Sequence, residues 1–125
     1  METRILVGTA VSGGSLRQLL AEAAARYGTR RLVVGLERVA MDFPLPCPTG
    51  EGIPLTGTEL SALRRRSGAP VFFSEALCAK YFTCPIGART HFILFDDDDT
   101  LRRKEALARS LGIGTVFELY HAAPE

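Results

Sequence analysis

Residues 4–36 read RILVGTAVSGGSLRQLLAEAAARYGTRRLVVGL, and the succession of patterns in this stretch decides the fold class. Arg4–Val11 is a short apolar run of strand type, closed by Gly13-Gly14. Ser15 stands at a helix N-cap position. Leu16, Leu19, Leu20, Ala23, Ala24 and Tyr27 follow at the spacing of a helix with one face on a sheet. Gly28 ends that helix, and Arg31–Leu36 is a second apolar run. Strand, helix and strand in this order predict a βαβ unit with parallel strands and a right-handed crossover.

Working outward, Met41–Leu55 reads as a loop, because Pro44, Pro46, Pro48, Gly50, Gly52 and Pro54 recur through it. Thr56 and Glu59 have capping-box spacing and open a short helix with Leu60 and Leu63 on one side. Arg64-Arg65-Arg66 falls in its last turn, where cations suit the helix dipole, and Gly68 closes it. Val71–Phe73 is a short apolar run, and Lys80–Cys84 and Thr90–Phe95 flank a Pro85-Ile86-Gly87 turn as a β-hairpin. The run Asp96–Asp99 leads into a helix at about Thr100–Leu111, and Thr115–Tyr120 is a last strand. The predicted class is α/β: a core of three parallel strands, Arg4–Val11, Arg31–Leu36 and Thr115–Tyr120, with a small antiparallel hairpin insertion at Val71–Phe95. The whole of 1–125 reads as one domain, its core in 1–43 and 96–120 and its loop and insertion in 44–95.

Composition narrows the function. Hydrophobic residues make up 46% and charged residues 23% of the 125, which is globular and excludes a disordered tail. Fifteen Lys and Arg against 14 Asp and Glu give +1, so no global field argues for nucleic acid, and the Arg64–Arg66 triplet reads as a solvated helix end. No apolar run approaches the roughly 18 residues of a membrane span, and the start does not read as an export signal. Cys47, Cys78 and Cys84 are therefore expected as reduced thiols in the cytoplasm. His91 and His121 have no ligand-like spacing to a Cys, and the Asp run lacks the alternation of a calcium cage, so neither a metal nor a cofactor is expected. Both histidines read as incidental, one at a strand edge and one in the tail. The chain has no Trp, the residue that stacks best on a sugar ring.

FDDDDTLRRK, residues 95–104, resembles the aromatic-Asp-Asp-x-x-Ser-x-x-x-Lys stretch that glycoside hydrolase family 18 carries before the final helix of its barrel. Phe95 stands at the aromatic position, Asp96 and Asp97 at the acidic pair, Thr100 at the Ser and Lys104 at the Lys. LARSLGIGTVFELY is similar to the helix, connection and eighth strand that follow. RLVVGLERVAMDFPLP is similar to the seventh strand, with Asp42-Phe43 where spore-type members carry Asp-Trp. Residues 55–95 resemble the insertion after that strand, so the ordered likeness runs from about Leu16 to Tyr120. The residues also have a structural reading of their own. One of the aspartates caps the helix, and Lys104, lying in an apolar stripe, must snorkel or reach a carboxylate.

The resemblance implies the C-terminal part of a TIM-like barrel, and it also implies what is missing. Family 18 catalysis uses a glutamic acid in an Asp-x-x-Asp-x-Glu motif on strand four, and no stretch here matches it. Ala10-Val11-Ser12-Gly13 stands where strand six of the family offers Tyr-Asp, and Glu118 where strand eight offers a Trp. The expected function is a non-catalytic binding or assembly domain derived from such a glycosidase, with a carbohydrate as candidate ligand. Candidate ligand-binding residues are Asp42 together with Glu37 and Glu118, which form an acid pair if both face the strand rim and otherwise stand in water at a strand end or pair with Arg38 or Arg4. An alternative is phosphate or nucleotide binding at Ser12, Gly13 and Gly14, where a turn leads into a helix N-terminus. A second alternative is a piece of a split glycosidase, active only with a partner chain. Free apolar edges on the parallel strands predict a homodimer or a partner carrying the missing barrel strands.

Overall fold

A computed structural model describes residues 3–10 and 14–119, in two sheets and three helices. The first sheet is parallel and three-stranded, in the order β1 (Ile5–Gly8), β2 (Leu32–Leu36), β8 (Val116–Glu118). Helix α1 (Leu16–Tyr27) links β1 to β2, and α3 (Asp98–Ser110) precedes β8. Leu16 and Leu20 from α1 and Leu101 and Ala108 from α3 meet Leu32, Val34 and Leu36 in one buried cluster, with Ile5, Val7 and Val116 against it. These residues alternate along each strand, so the helices cover a single face of the sheet. All five residues of β2 are buried, as suits a strand paired on both edges.

The second sheet is antiparallel, in the order β4 (Ile53–Pro54), β3 (Ala40–Leu45), β7 (Arg89–Phe95), β6 (Ala79–Ile86), β5 (Phe72–Ser74). Helix α2 (Gly57–Ser67) lies on one of its faces, where Phe82, Cys84, Ile93 and Phe95 are buried with Leu55, Leu60 and Leu63 against them. The Thr56–Glu59 capping box opens α2, and Gly68 closes it in a left-handed conformation at φ 62°.

Several expectations change here. Met41–Leu55 is a loop only over residues 46–52: β3 takes residues 41–45, and β4 pairs with β3 at Met41 and Asp42. The insertion is accordingly a five-stranded sheet rather than a hairpin, and β3 crosses the expected boundary between residues 43 and 44. The prolines misled because they sit where donors are not needed. β4 reaches only Met41 and Asp42, so at Pro44 the strand is an edge, and proline is tolerated there. His91 lies on β7, paired on both sides, and so is no edge residue. The parallel strands are also shorter than their apolar runs, and α3 begins at Asp98, two residues before the expected Thr100.

Candidate functional site

The face of the antiparallel sheet turned away from α2 is built by alternation. Phe43 on β3 stands opposite Phe92 on β7, and Phe72 on β5 stands opposite Tyr81 on β6. Tyr81 is diagonal to Phe92, since Thr83 is its register partner, and diagonal neighbours are within reach of aromatic rings. The rings form a continuous row across four strands. Phe43 and Phe92 are 6.3 Å apart between centroids at 55°, Phe92 and Tyr81 5.0 Å at 26°, and Tyr81 and Phe72 5.6 Å at 30°. Phe72 is half exposed, at 51%. Beside the row lies a cavity of about 200 Å³, lined by Phe43, Leu45, Leu77, Phe92 and Leu94 with Cys47 and Gly50. Gly52 seats the end ring: a Cβ there would stand 2.8 Å from the Phe43 ring. No single segment announces this row, because the four rings come from four strands spread over residues 43–92.

The other face carries Asp42 and His91. Asp42 is 8% exposed, and both its oxygens accept from Nδ1 of His91, at 2.8 and 3.0 Å. An ionised carboxylate only accepts, so Nδ1 of His91 is the donor of this pair. Pairing across β3 and β7 joins residues 49 apart, which spacing rules do not detect. Asp42 thus belongs to an Asp–His pair on the α2 side, not to the aromatic row.

The Asp96 cluster is closed. Asp96 is 4% exposed and accepts from Thr100 Oγ1 at 2.7 Å, Lys104 Nζ at 2.8 Å and the Val39 amide at 3.0 Å. Among the described residues no buried side-chain nitrogen or oxygen lacks a partner, which leaves this cluster no free group for a ligand. Asp97 is the N-cap of α3, accepting from the Thr100 amide at 3.0 Å and from Lys80 Nζ at 2.6 Å. Burial pushes the Asp97 carboxyl up, but the Lys80 ammonium and the Thr100 amide outweigh it, and the net shift is downward. A depressed carboxylate stabilises the fold above its unfolded value near pH 4 and stops doing so as pH falls through the folded value. Thermal melts should therefore lose stability on acidification below about pH 4, and Asp97→Asn should flatten that slope; an unchanged slope would remove Asp97 from the account.

Glu37 and Glu118 do not form an acid pair. Glu118 is in register with Leu36, so it shares the face of Leu36, and Glu37, the next residue, points to the other. Glu118 is exposed and lies 3.9 Å from Arg38, which also bonds Asp98. That hydrogen bond to Asp98 raises the Arg38 guanidinium and lowers the Asp98 carboxyl. Gly14 has φ 76° and leads into Ser15, whose side chain caps α1 by accepting from the Gln18 amide at 3.3 Å. Ser12 and Gly13 lie outside the described residues, as does His121. Among the described residues no group of three His, Cys, Asp or Glu could hold a metal ion, and no helix is long and apolar enough to cross a membrane. All three cysteines are free, and burial pushes the Cys78 thiol up.

No family model matches the sequence, and no curated protein does. Solved structures do. The spore cortex-lytic enzyme SleL of Bacillus megaterium QM B1551 superposes with a TM-score of 0.72 at 19% identity, over 93% of this chain and 30% of its own. SleL of Bacillus cereus gives 0.72 at 18%, over 93% and 31%. A chitinase of Chromobacterium violaceum ATCC 12472 gives 0.72 at 18%, over 94% and 40%. The chain thus spans well under half the length of the structures it matches. At such identity the likeness is one of fold, and the fold is that of the C-terminal part of a glycoside hydrolase of the family 18 type.

Proposed function

We propose that this chain is a non-catalytic, carbohydrate-binding domain derived from a family 18 glycosidase, its parallel strands the last part of a TIM-like barrel. The observation that carries the reading is the row Phe43, Phe92, Tyr81, Phe72 on the sheet face turned away from α2, half exposed at Phe72 and partly exposed at the other three rings, beside a 200 Å³ cavity. Aromatic rings pack against the apolar C–H faces of pyranose rings, and a row spaced at strand intervals suits an extended chain of them. The matched structures are named as a cortex-lytic enzyme and a chitinase, so a polysaccharide is the class to test first. The non-catalytic part of the reading is supported by the missing Asp-x-x-Asp-x-Glu motif and by the opposed directions of Glu37 and Glu118.

Titration calorimetry with chito-oligosaccharides tests the binding. Affinity should rise with chain length, and Phe72→Ala with Tyr81→Ala should weaken it by about tenfold or more, ~1.4 kcal/mol. Phe72 is exposed enough for its removal to leave the fold intact. Binding that is indifferent to both substitutions would place the ligand elsewhere. Release of soluble product from chitin or peptidoglycan by the purified chain would overturn the non-catalytic reading.

A further inference from the structure

The face of the parallel sheet turned away from α1 and α3 is polarised along its strands. Leu6 and Gly8 on β1, Val33 and Gly35 on β2, and Phe117 on β8 share it, because the residues between them pack into the helical core. Its middle is apolar: Leu6 is 57% exposed and Phe117 44%, and Leu6 and Leu119 fill the space that Gly35 leaves open. Glu37, one residue past β2, continues the alternation at the C-terminal end. Its carboxylate lies over Gly8, where a Cβ would clash with Oε1, and its side chain has no hydrogen bond or ion pair among the described residues. Arg4 and Arg31, each one residue before its strand, fall on the same alternation at the N-terminal end, and both are exposed. Arg31 spends its Nε on the Thr3 carbonyl at 3.1 Å and keeps its terminal nitrogens. The face therefore runs from cationic through apolar to acidic over about 20 Å.

We propose that this face is the interface of a homodimer, two sheets packed face to face with the strands of the copies antiparallel. A two-fold axis in the interface, perpendicular to the strands, lays Leu6 and Phe117 against their own counterparts. It also sets each Glu37 against the partner's Arg4 and the partner's Arg31. An axis along the strands would bring like charges together instead, so the charge pattern selects the first arrangement. Both sheet faces are then covered, as parallel strands require. The inference is independent of the aromatic row, which lies on the other sheet.

Sedimentation equilibrium of the full chain over micromolar concentrations tests it. A dimer is expected that weakens with added salt. Leu6→Asp, at an exposed position, should raise the dissociation constant at least tenfold with the melting temperature of the monomer unchanged. Glu37→Arg should weaken the dimer, and combining it with Arg4→Glu and Arg31→Glu should restore it. The charge reversals keep the test decisive if Leu6→Asp fails to fold. A monomer throughout, a dimer indifferent to Leu6→Asp, or no rescue by the triple reversal would overturn the proposal. So would a chain that stays monomeric alone and associates only with a second protein supplying strands to the free edges of β1 and β8.

Discussion

Replacing Lys104 with alanine should destabilise the protein by about 3–5 kcal/mol, measured by urea unfolding. Lys104 is 1% exposed, and its ammonium bonds both oxygens of Asp96, at 2.8 and 2.9 Å. Without it a 4% exposed carboxylate would remain with only Thr100 and the Val39 amide, and an uncompensated buried charge is the costly outcome. Asp96→Ala should cost as much or more, because it orphans the ammonium and the Val39 amide together and leaves the Thr100 hydroxyl only the Asp97 carbonyl, at 3.1 Å, to donate to. These partners also join the two sheets: the Asp96 amide donates to the Val39 carbonyl at 2.8 Å, and Val39 leads from β2 into β3. A loss below about 1 kcal/mol for Lys104→Ala would mean that the pair is hydrated, in the range of surface ion pairs.

Phe82→Ala should cost about 3–5 kcal/mol by the same measurement. Phe82 is 1% exposed at the centre of the antiparallel sheet's core and meets the Phe95 ring edge-on, at 5.9 Å and 66°. Truncation removes the ring's burial and leaves a cavity under α2, whose Leu60 and Leu63 pack against this core. The cost falls to the low end if α2 settles inward, which a smaller drop in melting temperature would report. Phe72→Ala, half exposed on the other face, should change stability by under about 0.5 kcal/mol. An equal loss at both positions would show that the two faces of this sheet are not distinguished by burial.

The sequence alone determined the helices and the features that local chemistry controls. The stripe Leu16 to Tyr27, the Thr56–Glu59 box and the glycine at 68 place α1 and α2 because caps and periodicity act within a few residues. The hairpin of β6 and β7 was legible for the same reason, its turn lying between strands adjacent in the chain. FDDDDTLRRK pointed to the fold that superposition bears out, and the Asp run's cap and the partner needed by Lys104 followed from burial rules.

Only the tertiary structure decided what depends on register. Asp42 meets His91 and Phe43 meets Phe92 because strands from distant segments align to within one residue. Composition suggested a lack of stacking surface from the absence of Trp, whereas four rings too weak to notice singly become a platform once paired across strands. The same parity separated Glu37 from Glu118, which a one-residue slip would have placed on one face. β3 was hidden because proline's cost depends on whether the neighbouring strand extends past it, and that is a property of β4's length. Local signals act over one turn of chain, and register is set by the burial of a whole face. For that reason the elements were readable and the surfaces they build were not.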